Sequence, residues 1–158
     1  MDNTQLHYTF LRILHEFSTL SKCVSKQVAA MAVKDGRIIA TGVNGTCPTY
    51  YNCNDIFDKH NFDRYLHHKF SETYEIHAEM NCLLYAAKNG IPLNGATLYC
   101  SLHPCWNCIK HISVVGIKRI IYAEKYDMLN HEEEKAITDY CSKLGIELIH
   151  IPLRDYNE

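Results

Sequence analysis

Proline and glycine are scarce in this 158-residue chain, with four and seven copies. Collagen-like repeats and Pro/Gly-rich linkers need far more of both, so neither is present. Charge of one sign is missing as well: sixteen Lys and Arg stand against eighteen Asp and Glu, a formal net charge of −2. Without a basic stripe, a polynucleotide groove is disfavoured. No apolar run reaches the roughly 18 residues of a membrane-spanning helix. Met1-Asp2-Asn3-Thr4-Gln5 offers neither the basic nor the apolar part of a secretory signal, so a reducing, cytoplasmic setting is expected. Internal repeats and low-complexity segments are also lacking.

What remains is ordinary for one globular domain over 1–158, with 47% apolar and 22% charged residues. The abundant residues are eight cysteines and ten histidines. In a reducing compartment such a set points to metal binding, catalysis or buried thiols rather than disulfides.

Periodicity orders the chain into alternating helices and strands. Leu6, Phe10, Ile13, Leu14 and Phe17 recur at helical spacing. Residues 28–33 read as a buried strand, Lys34-Asp35-Gly36-Arg37 as a hairpin turn, and 38–43 as the returning strand. From Asn44 to about Tyr74 no period stands out, and a functional loop is expected. Helices are predicted from Glu79 to Asn89, from Pro104 toward Gly116, and from the Asn130-x-x-Glu133 capping box to Lys143. Strands are predicted at 96–102, 118–123 and 146–151. Five strands beginning with a hairpin, interleaved with helices, make an α/β domain with a mixed sheet. Cys82, Cys100 and Cys141 fall in apolar patterns and read as core thiols.

Two short features carry chemistry: His77-Ala78-Glu79, and Pro104-Cys105-Trp106-Asn107-Cys108. Cys105 and Cys108, three apart at a helix start, face the same way, and a helix N-terminus favours thiolate. With His77 they supply three zinc ligands and leave the fourth position open to water, the form of a catalytic site. Glu79 is then close enough to handle protons without being a ligand. The pattern H-x-E followed by P-C-x-x-C is the signature of zinc-dependent nucleobase deaminases. A non-catalytic zinc scaffold is the bland alternative, and it leaves Glu79 unexplained. A deaminase of a free base, or of a base in RNA or DNA, is the nearer one.

The chain resembles the deoxycytidylate (dCMP) deaminases, particularly the short phage-encoded kind, from about Ser21 to Ile151. The resemblance is carried by Ser21-Lys22-Cys23, Lys34-Asp35-Gly36-Arg37-Ile38-Ile39, Gly42-Val43-Asn44-Gly45-Thr46, Ile76-His77-Ala78-Glu79-Met80-Asn81, the Cys105 and Cys108 pair, and Gly116-Ile117-Lys118. Val43 stands where the family has Tyr, Cys47 where Pro is usual, and Ala30 for a usual Gly.

The resemblance implies a three-layer α-β-α cytidine-deaminase-like fold with a five-stranded mixed sheet. It implies Zn2+-dependent hydrolysis of dCMP to dUMP and ammonia, supplying the thymidylate precursor. It also implies a homo-hexamer activated by dCTP and inhibited by dTTP with Mg2+, the regulator bound around Gly42, Val43, Asn44, Gly45 and Thr46. A phage-encoded member would work in the host cytoplasm. Asn44 would bond the sugar 3′-hydroxyl, or merely serve the turn before Gly45. The Ala78 backbone would meet the base carbonyl. Ser25 and Lys26 are candidate phosphate contacts, Tyr126 a candidate cover, and Lys88 a candidate between subunits. By resemblance again, Cys23, Cys53, His67 and Glu75 would hold a second, structural zinc. His68, His60 and Cys47 are rival ligands, and ordinary thiols at Cys23 and Cys53 are the plain alternative.

Overall fold

The computed structural model describes residues 3–153, so both ends of the expected 1–158 domain lie outside the described residues. The elements run α1 (Thr4–Ser18), β1 (Ala29–Lys34), β2 (Arg37–Val43), β3 (Gly45–Thr46), α2 (Cys53–Ile56), α3 (Arg64–Tyr74) and β4 (Glu75–Ile76). They continue with α4 (Ala78–Lys88), β5 (Thr97–Leu102), α5 (Trp106–Ile112), β6 (Arg119–Glu124), α6 (His131–Lys143) and β7 (Glu147–His150). Five strands form one mixed sheet in the order β2-β1-β5-β6-β7, and β3 pairs with β4 separately. β1 is antiparallel to both neighbours, whereas β5, β6 and β7 are parallel.

β1 shows why the sheet lies between layers. Its residues alternate between two cores, Ala30 and Ala32 toward one face, Ala29, Met31 and Val33 toward the other. The first face is covered by α4, α5 and α6 through residues such as Cys82, Ile109 and Ile137. The second is covered by α1 through Phe10, Leu11 and Leu14, which share one helix side. This is the expected three-layer α-β-α fold. The hairpin turn between β1 and β2 has φ of 51° at Asp35 and 73° at Gly36, the two positive values of a type I′ turn. The α6 capping box closes as predicted: Glu133 N–H donates to Asn130 Oδ1 at 2.9 Å, and Asn130 N–H donates to Glu133 Oε2 at 3.1 Å. Cys82, Cys100 and Cys141 are all buried in the core. No helix among the described residues is long and apolar enough to cross a membrane.

The stretch from 44 to 74 differs from expectation. It is not an irregular loop: it holds the eleven-residue α3, the short α2 and strand β3. Asp63 caps α3, accepting from Leu66 N–H at 2.9 Å. The helix conceals itself in sequence because its inward residues are His67 and Phe70 while Tyr65 and Leu66 face solvent.

Gly42 brings α4 to its place. A Cβ there would stand 2.4 Å from Ala78 O and from Cys82 N, so the α4 backbone rests directly on β2. Gly42→Ala must push α4 away. Overpacking of this kind costs about 1–3 kcal/mol and should lower the melting temperature by roughly 3–12 °C in thermal denaturation. An unchanged melting temperature would show that α4 can recede freely.

Candidate active site and metal centres

Two helix N-termini converge at the first site. His77 is the N-cap of α4, and Cys105, following Pro104, is the N-cap of α5; Cys108 lies in the first turn of α5. His77 Nδ1 is 3.5 Å from Cys105 Sγ and 3.5 Å from Cys108 Sγ. Zinc–nitrogen and zinc–sulfur bonds of about 2.05 and 2.3 Å at a tetrahedral angle put such donors about 3.6 Å apart. The nitrogen and both sulfurs therefore fit three corners of a zinc tetrahedron. Burial falls from Cys108 to Cys105 to His77, which leaves one side open.

Electrostatics of the three donors suit a cation. A hydrogen bond from Cys108 holds the Cys105 thiol down to about 4, while sharing that proton and burial push Cys108 up. The hydrogen bond to Cys105 raises the His77 imidazole above its ordinary value despite burial. A dication bound by these thiols would take the place of their protons. Glu79, only 4% exposed, lies with Oε2 3.7 Å from Cys108 Sγ. Burial raises its carboxyl above the usual range, so it takes up a proton more readily than a solvated glutamate.

A second group gathers Cys23, Cys53, His67 and Glu75, with one donor atom of each within 4.8 Å of the others. Cys23 Sγ is 3.5 Å from His67 Nε2, again a tetrahedral edge. Cys23, Cys53 and His67 are buried, and both carboxylate oxygens of Glu75 are enclosed with no hydrogen-bond partner. Burial pushes the Cys53 thiol up to about 12 and raises that of Cys23. Orphaned carboxylate oxygens facing two buried sulfurs suit a divalent cation. His68, the adjacent rival, points elsewhere and pairs with Glu72 at 3.3 Å. Cys47 and His60 are exposed and stand outside the group.

A cavity of about 330 Å³ opens over the first group, and Ser25, Lys26, Asn44, Ala78, Glu79 and Tyr126 all line it. Asn44 already serves the fold: its Oδ1 accepts from Ser21 Oγ at 2.7 Å and Val28 N at 2.9 Å, and its Nδ2 donates to Lys26 O at 2.9 Å. One amide hydrogen is left for a ligand hydroxyl. Ala78 opens α4, where first-turn N–H groups lack partners within the helix. Of the expected regulatory segment, Gly42 packs on α4, Val43 packs against the α1 side of the sheet, and Gly45 and Thr46 pair with β4. Lys88 is exposed in the last turn of α4.

Sequence reasoning missed Arg64, Ser71 and His103, which also line the cavity, and gave His68 only a metal role. His103 is 2% exposed; its Nδ1 bonds Pro104 O at 2.8 Å and its Nε2 has no partner. The Asp63 cap and the spacing 64, 68, 71 were the available signals for the α3 residues.

The family model for the zinc-binding region of cytidine and deoxycytidylate deaminases matches residues 4–124. The chain belongs to this family. Among its deaminase relatives, the deoxycytidylate deaminase of Enterobacteria phage T4 is 34% identical, covering 95% of this chain and 92% of its own. ComE operon protein 2 of Bacillus subtilis is 33% identical over 85% of this chain and 67% of its own. The crystal structure of dCMP deaminase from cyanophage S-TIM5 in complex with dCMP and dUMP superposes with a TM-score of 0.74 at 27% identity, covering 93% of this chain and 97% of that one.

Proposed function

We propose that this deaminase converts dCMP and water to dUMP and ammonia. The observation that carries the reading is the buried Glu79 beside the His77, Cys105 and Cys108 donors at the floor of a cavity bordered by cations. Zinc held by those three residues would supply a polarised water at neutral pH. Glu79 takes a proton from the attacking water and hands it to N3 of cytosine as the water oxygen bonds to C4. Glu79 then moves the remaining proton of that oxygen, now the C4 hydroxyl, to the exocyclic amino group; the C4–N4 bond breaks, the C4 carbonyl forms, and ammonia leaves. The Ala78 N–H holds the base carbonyl, the free amide hydrogen of Asn44 meets the 3′-hydroxyl, and Tyr126 covers the pocket. Likeness to the phage enzymes supports dCMP as the substrate.

Ammonia release tested on dCMP, CMP, deoxycytidine and dCTP, with single-stranded DNA and tRNA alongside, decides the substrate. Selective turnover of dCMP is expected; turnover of tRNA or DNA alone would overturn the reading.

The same reading gives one catalytic and one structural zinc per chain, a homo-hexamer, and work in the cytoplasm, the host's if the chain is phage-encoded. It also gives regulation through Gly42–Thr46: dCTP lowers the dCMP requirement, and dTTP with Mg2+ raises it. Either nucleotide can act only by binding two states unequally. Steady-state kinetics should therefore shift in opposite directions with the two triphosphates. Hyperbolic curves indifferent to both would show that Val43 and Cys47 mark a segment without a regulatory site.

A further inference from the structure

Helix α3 presents a face that neither metal group uses. Arg64, His68 and Ser71 follow at i, i+4 and i+7, so they share one side of the helix, and all three line the cavity above Glu79. The adjoining side, His67 and Phe70, is buried with Cys23 and Cys53 and against the Phe57 ring, which fixes the helix in place. His68 is engaged by Glu72. Arg64 has no carboxylate partner among the described residues, and its guanidinium lies 5.8 Å from the centre of the Phe62 ring, another wall of the cavity. Lys26 enters from the segment before β1, equally without a carboxylate, and its carbonyl is tied by Asn44. Two cations from separate elements, neither paired with a carboxylate among the described residues, thus border one cavity, whose own carboxylates, Glu75 and Glu79, stand with the two groups of metal donors. A neutral nucleoside leaves them unbalanced, whereas a phosphate monoester, carrying close to two negative charges, answers both.

We propose that Arg64 reads the 5′-phosphate of the substrate, with Lys26 as its partner, making α3 the helix that separates nucleotide from nucleoside. The inference rests on the dCMP reading above. A guanidinium presents parallel N–H donors to two phosphate oxygens, and its place over Phe62 reduces the rotamer freedom lost on binding. Lys26 supplies a second point charge from the segment before β1. Arg64 acts on binding and leaves the proton transfers at Glu79 untouched.

The test is the ratio of kcat/KM for dCMP to that for deoxycytidine in wild type, Arg64→Gln and Arg64→Lys, with equilibrium binding of both ligands to each protein. Loss of a charge-assisted contact should cut the dCMP value by about ten- to a hundred-fold and leave deoxycytidine unchanged. Arg64→Lys should recover part of the loss. Arg64 is exposed at the start of α3, so both variants should fold, as a thermal melt will confirm. A wild-type ratio in Arg64→Gln, or equal losses for both ligands, overturns the assignment. If wild type fails to deaminate dCMP, the substrate reading fails; the binding measurements still judge Arg64 on their own.

Discussion

Glu79→Gln will keep its zinc and lose most of its turnover. The substitution preserves volume in a site that is nearly closed to solvent, so the helix start and the donors beside it stay as they are. What disappears is the carboxylate that, alone among the described residues, is hydrogen-bonded to one of the site's sulfurs and can carry protons between water, N3 and the leaving amine. General acid–base groups contribute about 10²–10⁴-fold, and Glu79 serves more than one transfer, so that range is a lower bound. Stopped ammonia-release assays and metal analysis on the same sample read both halves of the expectation. Near-normal turnover with zinc in place would remove Glu79 from the mechanism, and zinc loss in a folded variant would make it a ligand. Cys105→Ala provides the contrast, since it takes one of three donors and should strip the metal together with the activity.

Cys53→Ser will reduce zinc from two ions per chain to one and lower the melting temperature. The second group is enclosed: three of its four members are buried, and the oxygens of Glu75 have nothing else to bind. A four-donor site of this kind is structural in form, and its metal contributes folding free energy directly. It joins the segment before β1, the start of α2, α3 and β4, which share a small apolar cluster of Cys23, Val24, Cys53 and Phe70 with Phe57 and Phe62 packed against it. With so little apolar support, losing the cation should cost several kcal/mol, on the order of 10 °C or more in melting temperature. One zinc per chain in metal-replete wild type would exclude the clip. Unchanged stability in Cys53→Ser would show that the metal, though bound, holds nothing.

The amino-acid sequence by itself determined the elements whose signals are local. α1 announces itself through residues three and four apart, the β1–β2 hairpin through Asp35-Gly36, and α6 through Asn130 and Glu133. His77-Ala78-Glu79 and Pro104-Cys105-x-x-Cys108 were legible for the same reason: candidate metal donors at a helix N-cap or in its first turn need only short spacing, and each pair is fixed by its own turn of chain. Tertiary structure alone decided the rest. α3 was hidden because its buried side is a histidine and a phenylalanine while its apolar Tyr65 and Leu66 face water, which inverts the pattern that periodicity detects. The choice of His67 over His68, which the sequence made by resemblance alone, is a matter of about 100° of helix rotation, and its physical reason is visible once Cys23 and Cys53 stand on one side. The nearness of β2 to α4 at Gly42, and of Arg64 and Lys26 across one cavity, joins residues tens of positions apart. Such contacts arise from how the layers pack, because local preference sets each helix and strand but only burial of their shared faces sets which of them meet.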